Sequence, residues 1–140
     1  MKNTNNAILR IILLVVMAYH LLLGAVTFLP AETAIKISRP LFGMVILDSG
    51  QLFYMSRLFG IYAAIFGLLM GICAIDPQKC RRLLIVGSGL FYIRAFNNIA
   101  MTGYFQTTFG MSMTRIWQCI ITLLVFGTLI LVFLPKNENK

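Results

Sequence analysis

The sequence predicts an all-α fold of the integral membrane kind, a four-helix bundle forming one domain over residues 1–140. Three observations predict it. Apolar residues make up 59% of the chain and charged ones 11%, with a mean hydropathy of +0.87, whereas a soluble domain is about a quarter charged. So little charge cannot clothe a water-facing surface, and lipid is the simplest medium that remains. Four apolar runs each reach the roughly 20 residues a helix needs to cross a hydrocarbon core. The cations and prolines stand mostly at the ends of those runs.

The first run covers 11–29, interrupted only by Tyr19, His20 and Thr27. Its apolar stretch exceeds the 7–15 residues usual in a signal peptide, so it reads as a retained span. The second, 58–75, carries no charge, and the third, 83–101, contains Arg94, Asn97 and Asn98. The fourth, 116–134, is again uncharged. Pro30, Asp76-Pro77 and Pro135 follow three of the runs, where a helix is expected to end.

Segment 30–57 is the only long connection. Pro30 followed by Glu32 suits the first turn of a short helix, Pro40 is expected to break it, and 41–47 is apolar enough to lie in the membrane interface. Asp48-Ser49-Gly50 has the character of a turn or N-cap before the second span. The whole segment is expected to lie on the outer leaflet and cover the bundle.

Four spans put both termini on one side. Lys2, Arg10, Lys79, Arg81, Arg82, Lys136 and Lys140 then share that face, and Lys36, Arg39, Arg57 and Arg115 the other. Seven cations against four orient the termini to the cytoplasm, with 30–57 outside. The net charge of +8 is therefore spent at span ends. No basic stripe with interleaved aromatics is left for nucleic acid.

Between helices in lipid there is no hydrophobic drive, and small residues that allow close approach mark the packing faces. Gly60, Ala64, Gly67 and Gly71 recur at four, three and four residues, one helical stripe on the second span. It serves packing within the chain by default, or docking on another membrane subunit. Gly87-Ser88-Gly89 resembles a fragment of a phosphate loop, but it lies inside a span and reads as packing.

The residues least at home in a membrane fall in its outer half. Arg94, Asn97, Asn98 and Met101 share one face at i, i+3, i+4 and i+7. Arg94 lies about 11–13 Å below the outer end of its helix and His20 about 12–14 Å below its own. Arg57 opens the second helix, while Arg115 and Gln118 open the fourth. Each has a plain alternative: Arg94 reaching outward to lipid phosphate, His20 and the asparagines as structural hydrogen-bond groups, the other arginines as interface anchors. Their shared depth instead predicts a cationic pocket of Arg94, Asn97, Asn98, His20, Arg57 and Gln118. Such a pocket suits an anionic or carbonyl-bearing head with an apolar tail, a lipid or a quinone. Arg94 has no acid in any span, and Asp48 is the one carboxylate placed near the bundle mouth.

One histidine, no intramembrane carboxylate, and Cys73, Cys80 and Cys119 without CxxC spacing leave too few ligands for a metal site. The thiols read as buried and inert. No catalytic triad is available, so no catalytic residue is assigned.

The second span's Arg57-Leu-Phe-Gly60-Ile-Tyr-Ala-Ala-Ile-Phe-Gly67-Leu-Leu, the basic turn at 79–82 and Arg94 resemble the DoxX-like families of small bacterial four-helix membrane proteins. The resemblance implies a four-helix bundle in a bacterial inner (plasma) membrane, in a group with some members tied to quinone-linked sulfur oxidation or membrane redox complexes. His20 and the long outer loop have no counterpart in it. The leading expectation is a non-catalytic module, a subunit or partner of a larger membrane assembly. The rivals are a binder or carrier of a lipid-like or quinone-like amphiphile and a quinone-linked oxidoreductase subunit.

Overall fold

The computed structural model describes residues 2–43 and 50–136, and among them every regular element is helical. The six helices are α1 (Lys2–Thr27), α2 (Ala31–Phe42), α3 (Gly50–Ile75), α4 (Arg81–Ala100), α5 (Thr102–Phe109) and α6 (Met113–Val132). Four contain stretches long and apolar enough to cross a membrane: Asn5–Thr27, Tyr54–Ile75, Arg81–Ala100 and Met113–Val132. The chain is an all-α, multi-pass membrane protein by this measure. Its outer surface agrees, with Ile75, Phe96, Tyr62, Val86 and Val132 each at least 66% exposed.

The helices run further than the apolar runs. Helix α3 starts at Gly50, so the connection expected over 30–57 gives up its last eight residues to it. Backbone hydrogen bonds, not side-chain polarity, decide whether a helix continues, and Ser56 and Arg57 offer no break. Pro40 does not stop α2, which runs two residues past it to Phe42. The proline removes the N–H that would bond the carbonyl of Lys36 and crowds that carbonyl, a cost confined to the last turn. Helix α5 was not expected; α4 ends at Ala100 with Met101 as its cap, and the chain restarts for two turns before Gly110 closes it in the left-handed region, φ 61°. The turn proposed at Asp48-Ser49 and the interfacial stretch beyond Gly43 lie outside the described residues.

Contacts across the chain fix the topology. Arg10 Nη2 donates to the carbonyl of Ile75 at 3.1 Å, which lays the start of α1 beside the end of α3. Arg81 Nε donates to Pro135 O at 2.9 Å and lays the start of α4 beside the end of α6. Each is a cation on carbonyls at or just past a helix C-terminus, where the orphan acceptors and the negative end of the dipole lie. Between α3 and α4 the turn is tied by Asp76, whose Oδ1 accepts from the Lys79 N–H at 3.3 Å and whose Oδ2 meets Lys79 Nζ at 3.3 Å. That N–H above all, with the ammonium, holds the Asp76 carboxyl below its ordinary range.

The small-residue stripe packs inside the chain. A Cβ on Gly24 of α1 would stand 2.9 Å from both Ala64 Cβ and Gly60 O, and one on Gly67 would stand 3.1 Å from His20 Cβ and Met17 O. Gly60 lies under Thr27 and Gly71 under Met17 in the same manner. All four stripe positions on α3 thus face α1, where the backbones approach too closely for larger side chains. The pair α4–α6 has its own small contact: Gly127 faces Phe91 and Tyr92, and the fully buried Ser88 donates to Gly127 O at 2.8 Å. The main core, built on Leu9, Leu13, Val16, Met70, Cys73, Leu84, Phe91 and Ile130, lies where the two pairs meet. Helices α3 and α4 are in contact along only part of their length.

Candidate functional site

His20 is 2% exposed, halfway along the α1–α3 contact. Its Nδ1 lies 2.8 Å from the carbonyl of Val16, one turn earlier. A carbonyl can only accept, so Nδ1 carries the proton and the lone pair is left on Nε2. That atom faces Arg94 Nη1 of α4 at 3.4 Å. The imidazole is walled by Phe66 and Phe91, with ring centroids at 4.9 and 6.0 Å, and by Tyr19 at 5.2 Å. These rings exclude water from one side and fix the plane of the imidazole.

Arg94 therefore points into the bundle, as the matched depths of Arg94 and His20 predict. Its Cζ also lies 5.8 Å from the centre of the Phe59 ring of α3, a cation–π contact. The guanidinium thus touches α1 and α3 from α4. It remains half-buried, and no carboxylate among the described residues meets it. One of its five donors is used by His20, and an acceptor-rich group could still approach the rest.

Asn97, Asn98 and Gln118, also expected in the pocket, are not gathered with it among the described residues. Asn97 is exposed and Asn98 half-buried, and neither carboxamide bonds to Arg94 among the described residues. Gln118 is exposed, and its Oε1 accepts from Arg115 Nη1 at 3.3 Å. Arg57 is exposed on the first half of α3. Asp48, the acid considered for Arg94, lies outside the described residues.

Arg115 does something other than anchor an interface. Its Nη2 donates to Leu41 O and, at 3.4 Å, to Pro40 O, the last-turn carbonyls of α2. Its stem lies against Gly43, which ends that helix at φ 70°, a conformation glycine enters without cost. A Cβ there would come within 2.7 Å of Arg115 Cγ. Arg115 so holds α2 to the head of α6. Replacing it by Met keeps the stem and removes the donors. Hydrogen exchange in the last turn of α2 is expected to quicken about fivefold, equivalent to about 1 kcal/mol; an unchanged rate would mean that α2 is held by something else.

Below Arg94, an open apolar groove of about 300 Å³ runs along the α3–α4 seam, lined by Phe66, Leu69 and Met70 on one wall and Leu83, Gly87 and Leu90 on the other. Phe59 and the groove are what sequence reasoning missed. The spacing of Phe59, Phe66 and Met70 at i, i+7 and i+11 was a usable signal for a shared face.

Among the described residues no three His, Cys, Asp or Glu side chains come together as a metal site would require. Cys73, Cys80 and Cys119 are free thiols, Cys73 buried and the others half-buried. Compared with protein-family models, with curated proteins and with solved structures, the chain finds no match.

Proposed function

We propose that this protein is a non-catalytic membrane module that binds the polar head of an amphiphile at Arg94, with His20 as the group that positions the guanidinium. One observation carries the reading. A guanidinium sits part-way inside an apolar bundle, turned inward onto a neutral imidazole acceptor, with no carboxylate partner among the described residues. A cation at such depth costs at least about 2.5 kcal/mol, and an acceptor-bearing head that uses its remaining donors offsets that cost. The test is the amphiphile content of purified wild type against Arg94 variants, read by mass spectrometry.

The second reading is the one the sequence puts first, a subunit or partner of a larger membrane assembly; α1 packs on the stripe Gly60, Ala64, Gly67 and Gly71, so such a partner would dock on another face. Kinship with the DoxX-like families belongs to the proposal too, and it rests on residues 57–69, the turn at 79–82 and Arg94.

We place both termini in the cytoplasm of a bacterial inner membrane, on the seven-to-four cation count. A single cysteine at position 79, with native cysteines removed, should resist an impermeant maleimide added to intact cells. Ready labelling there reverses the orientation.

A further inference from the structure

Two of the three free thiols stand together at the end of the bundle that bears the termini. Cys73 lies in the last turn of α3, 0% exposed, and belongs to the main core with Ala74 and Leu84. The chain then reverses. The Cys80 N–H donates to Asp76 O at 3.3 Å, and the Leu84 N–H donates to Cys80 O at 2.9 Å as α4 begins. Cys80 occupies the N-cap position of α4, yet its side chain makes no capping bond to that helix. It packs instead against the core that holds Cys73, close enough for the two thiols to share a hydrogen bond. Cys119, the third thiol, sits on the first half of α6 against a separate cluster with Met111 and Ile116.

The two partners differ in access. Cys80 is half-buried and can be reached from water, whereas Cys73 is sealed behind it. Thiol oxidation follows exposure, and a sulfenic acid condenses with a neighbouring thiol where one is in reach. Two thiols are too few to enclose a metal ion, and among the described residues no third ligand joins them. Two are what a disulfide requires.

We infer that Cys80 and Cys73 form an oxidative modification site, in which Cys80 reacts with a hydroperoxide and Cys73 resolves the product as a Cys73–Cys80 disulfide. In the first step Cys80 Sγ attacks one peroxide oxygen. The O–O bond breaks, the Cys80 proton goes to the departing alkoxide, and an alcohol leaves Cys80 as the sulfenic acid. In the second, Cys73 Sγ attacks Cys80 Sγ. The S–S bond forms, the S–O bond breaks, and hydroxide departs with the Cys73 proton as water. The pair has given up two electrons, and the hydroperoxide has become an alcohol and water. The link joins the end of α3 to the start of α4, helices otherwise in contact along only part of their length. Nothing in it depends on what binds at Arg94.

The test uses the reduced full-length chain in nanodiscs. It is treated with cumene hydroperoxide, then unfolded, alkylated with N-ethylmaleimide and weighed by intact-mass spectrometry. Wild type should take up one maleimide where the untreated chain takes up three, and digestion should release a peptide pair joined through Cys73 and Cys80. Cys119→Ser should form the same link. Cys73→Ser strands Cys80 at the sulfenic acid and should trap at least about tenfold more dimedone than wild type. Cys80→Ser should keep Cys73 reduced. The wild-type masses decide the matter even where a variant fails to fold. Three maleimides on oxidised wild type, a link through Cys119, or a link that forms no faster than in the unfolded chain overturns the site. Equal dimedone trapping by wild type and Cys73→Ser overturns Cys73 as the resolving thiol.

Discussion

Gly67→Leu is expected to destabilise the bundle by about 2–3 kcal/mol or more, the range of overpacked cores, while Leu68→Ala stays within about 0.5 kcal/mol. The two positions are neighbours in sequence and opposite in environment. A Cβ at Gly67 already lies 3.1 Å from His20 Cβ and from a backbone oxygen of Met17. Backbone cannot yield as a side-chain tip does, so a leucine must push α1 and α3 apart. Leu68 faces outward, and trimming it removes contacts that lipid replaces. Gly67→Ala should fall between the two. The three variants can be ranked by denaturant unfolding in one detergent, followed by circular dichroism. Because Gly67 bears on His20, Gly67→Leu should also shift the imidazole away from Arg94. Equal stability of Gly67→Leu and Leu68→Ala would show that this stripe does not set the α1–α3 distance.

Arg94 substitutions separate fold from binding. Arg94→Leu removes a charge that costs at least about 2.5 kcal/mol at membrane depth. It leaves His20 Nε2 without its donor, a loss of about 1 kcal/mol. The melting temperature should therefore hold or rise while the retained amphiphile disappears. Arg94→Lys keeps the charge but loses the planar fork and with it any two-pronged contact to a head group. Amphiphile affinity should drop about tenfold, the equivalent of one charge-assisted hydrogen bond. The opposite pattern, a falling melt with unchanged amphiphile, would make Arg94 a structural tie between α4 and α1.

Much of this arrangement was legible before any coordinates. The four spans and the prolines that close three of them follow from length, apolarity and backbone chemistry, all local properties. The stripe on α3 was legible because small residues repeat at the helical period, and α1 is the helix it meets. The shared depth of His20 and Arg94 could be counted along each helix from its end. Which group Arg94 would touch could not. Asn97 and Asn98 share its face, but turning toward α1 placed His20 in reach instead, and rotation about a helix axis depends on all its neighbours at once. The bond from Arg115 to the end of α2 joins residues 74 and 75 positions apart, and no periodicity announces it. Helix α5 was invisible for another reason, since Thr102–Phe109 carries no buried face to betray it.

The arginine ties also bear on the order in which the chain is made. Every contact between α1 and α3, including the Arg10 bond to Ile75 O, lies within the first 75 residues. That interface is complete once α3 has left the ribosome. Helix α4 has only part of its partners by then: Arg94 can reach His20 and Phe59, but the Arg81 bond to Pro135 O and the Ser88 bond to Gly127 O await the last helix. Through that interval the face of α4 that bears Ser88 and Phe91 stands open in the membrane, and lipid covers it until Gly127 of α6 closes on it.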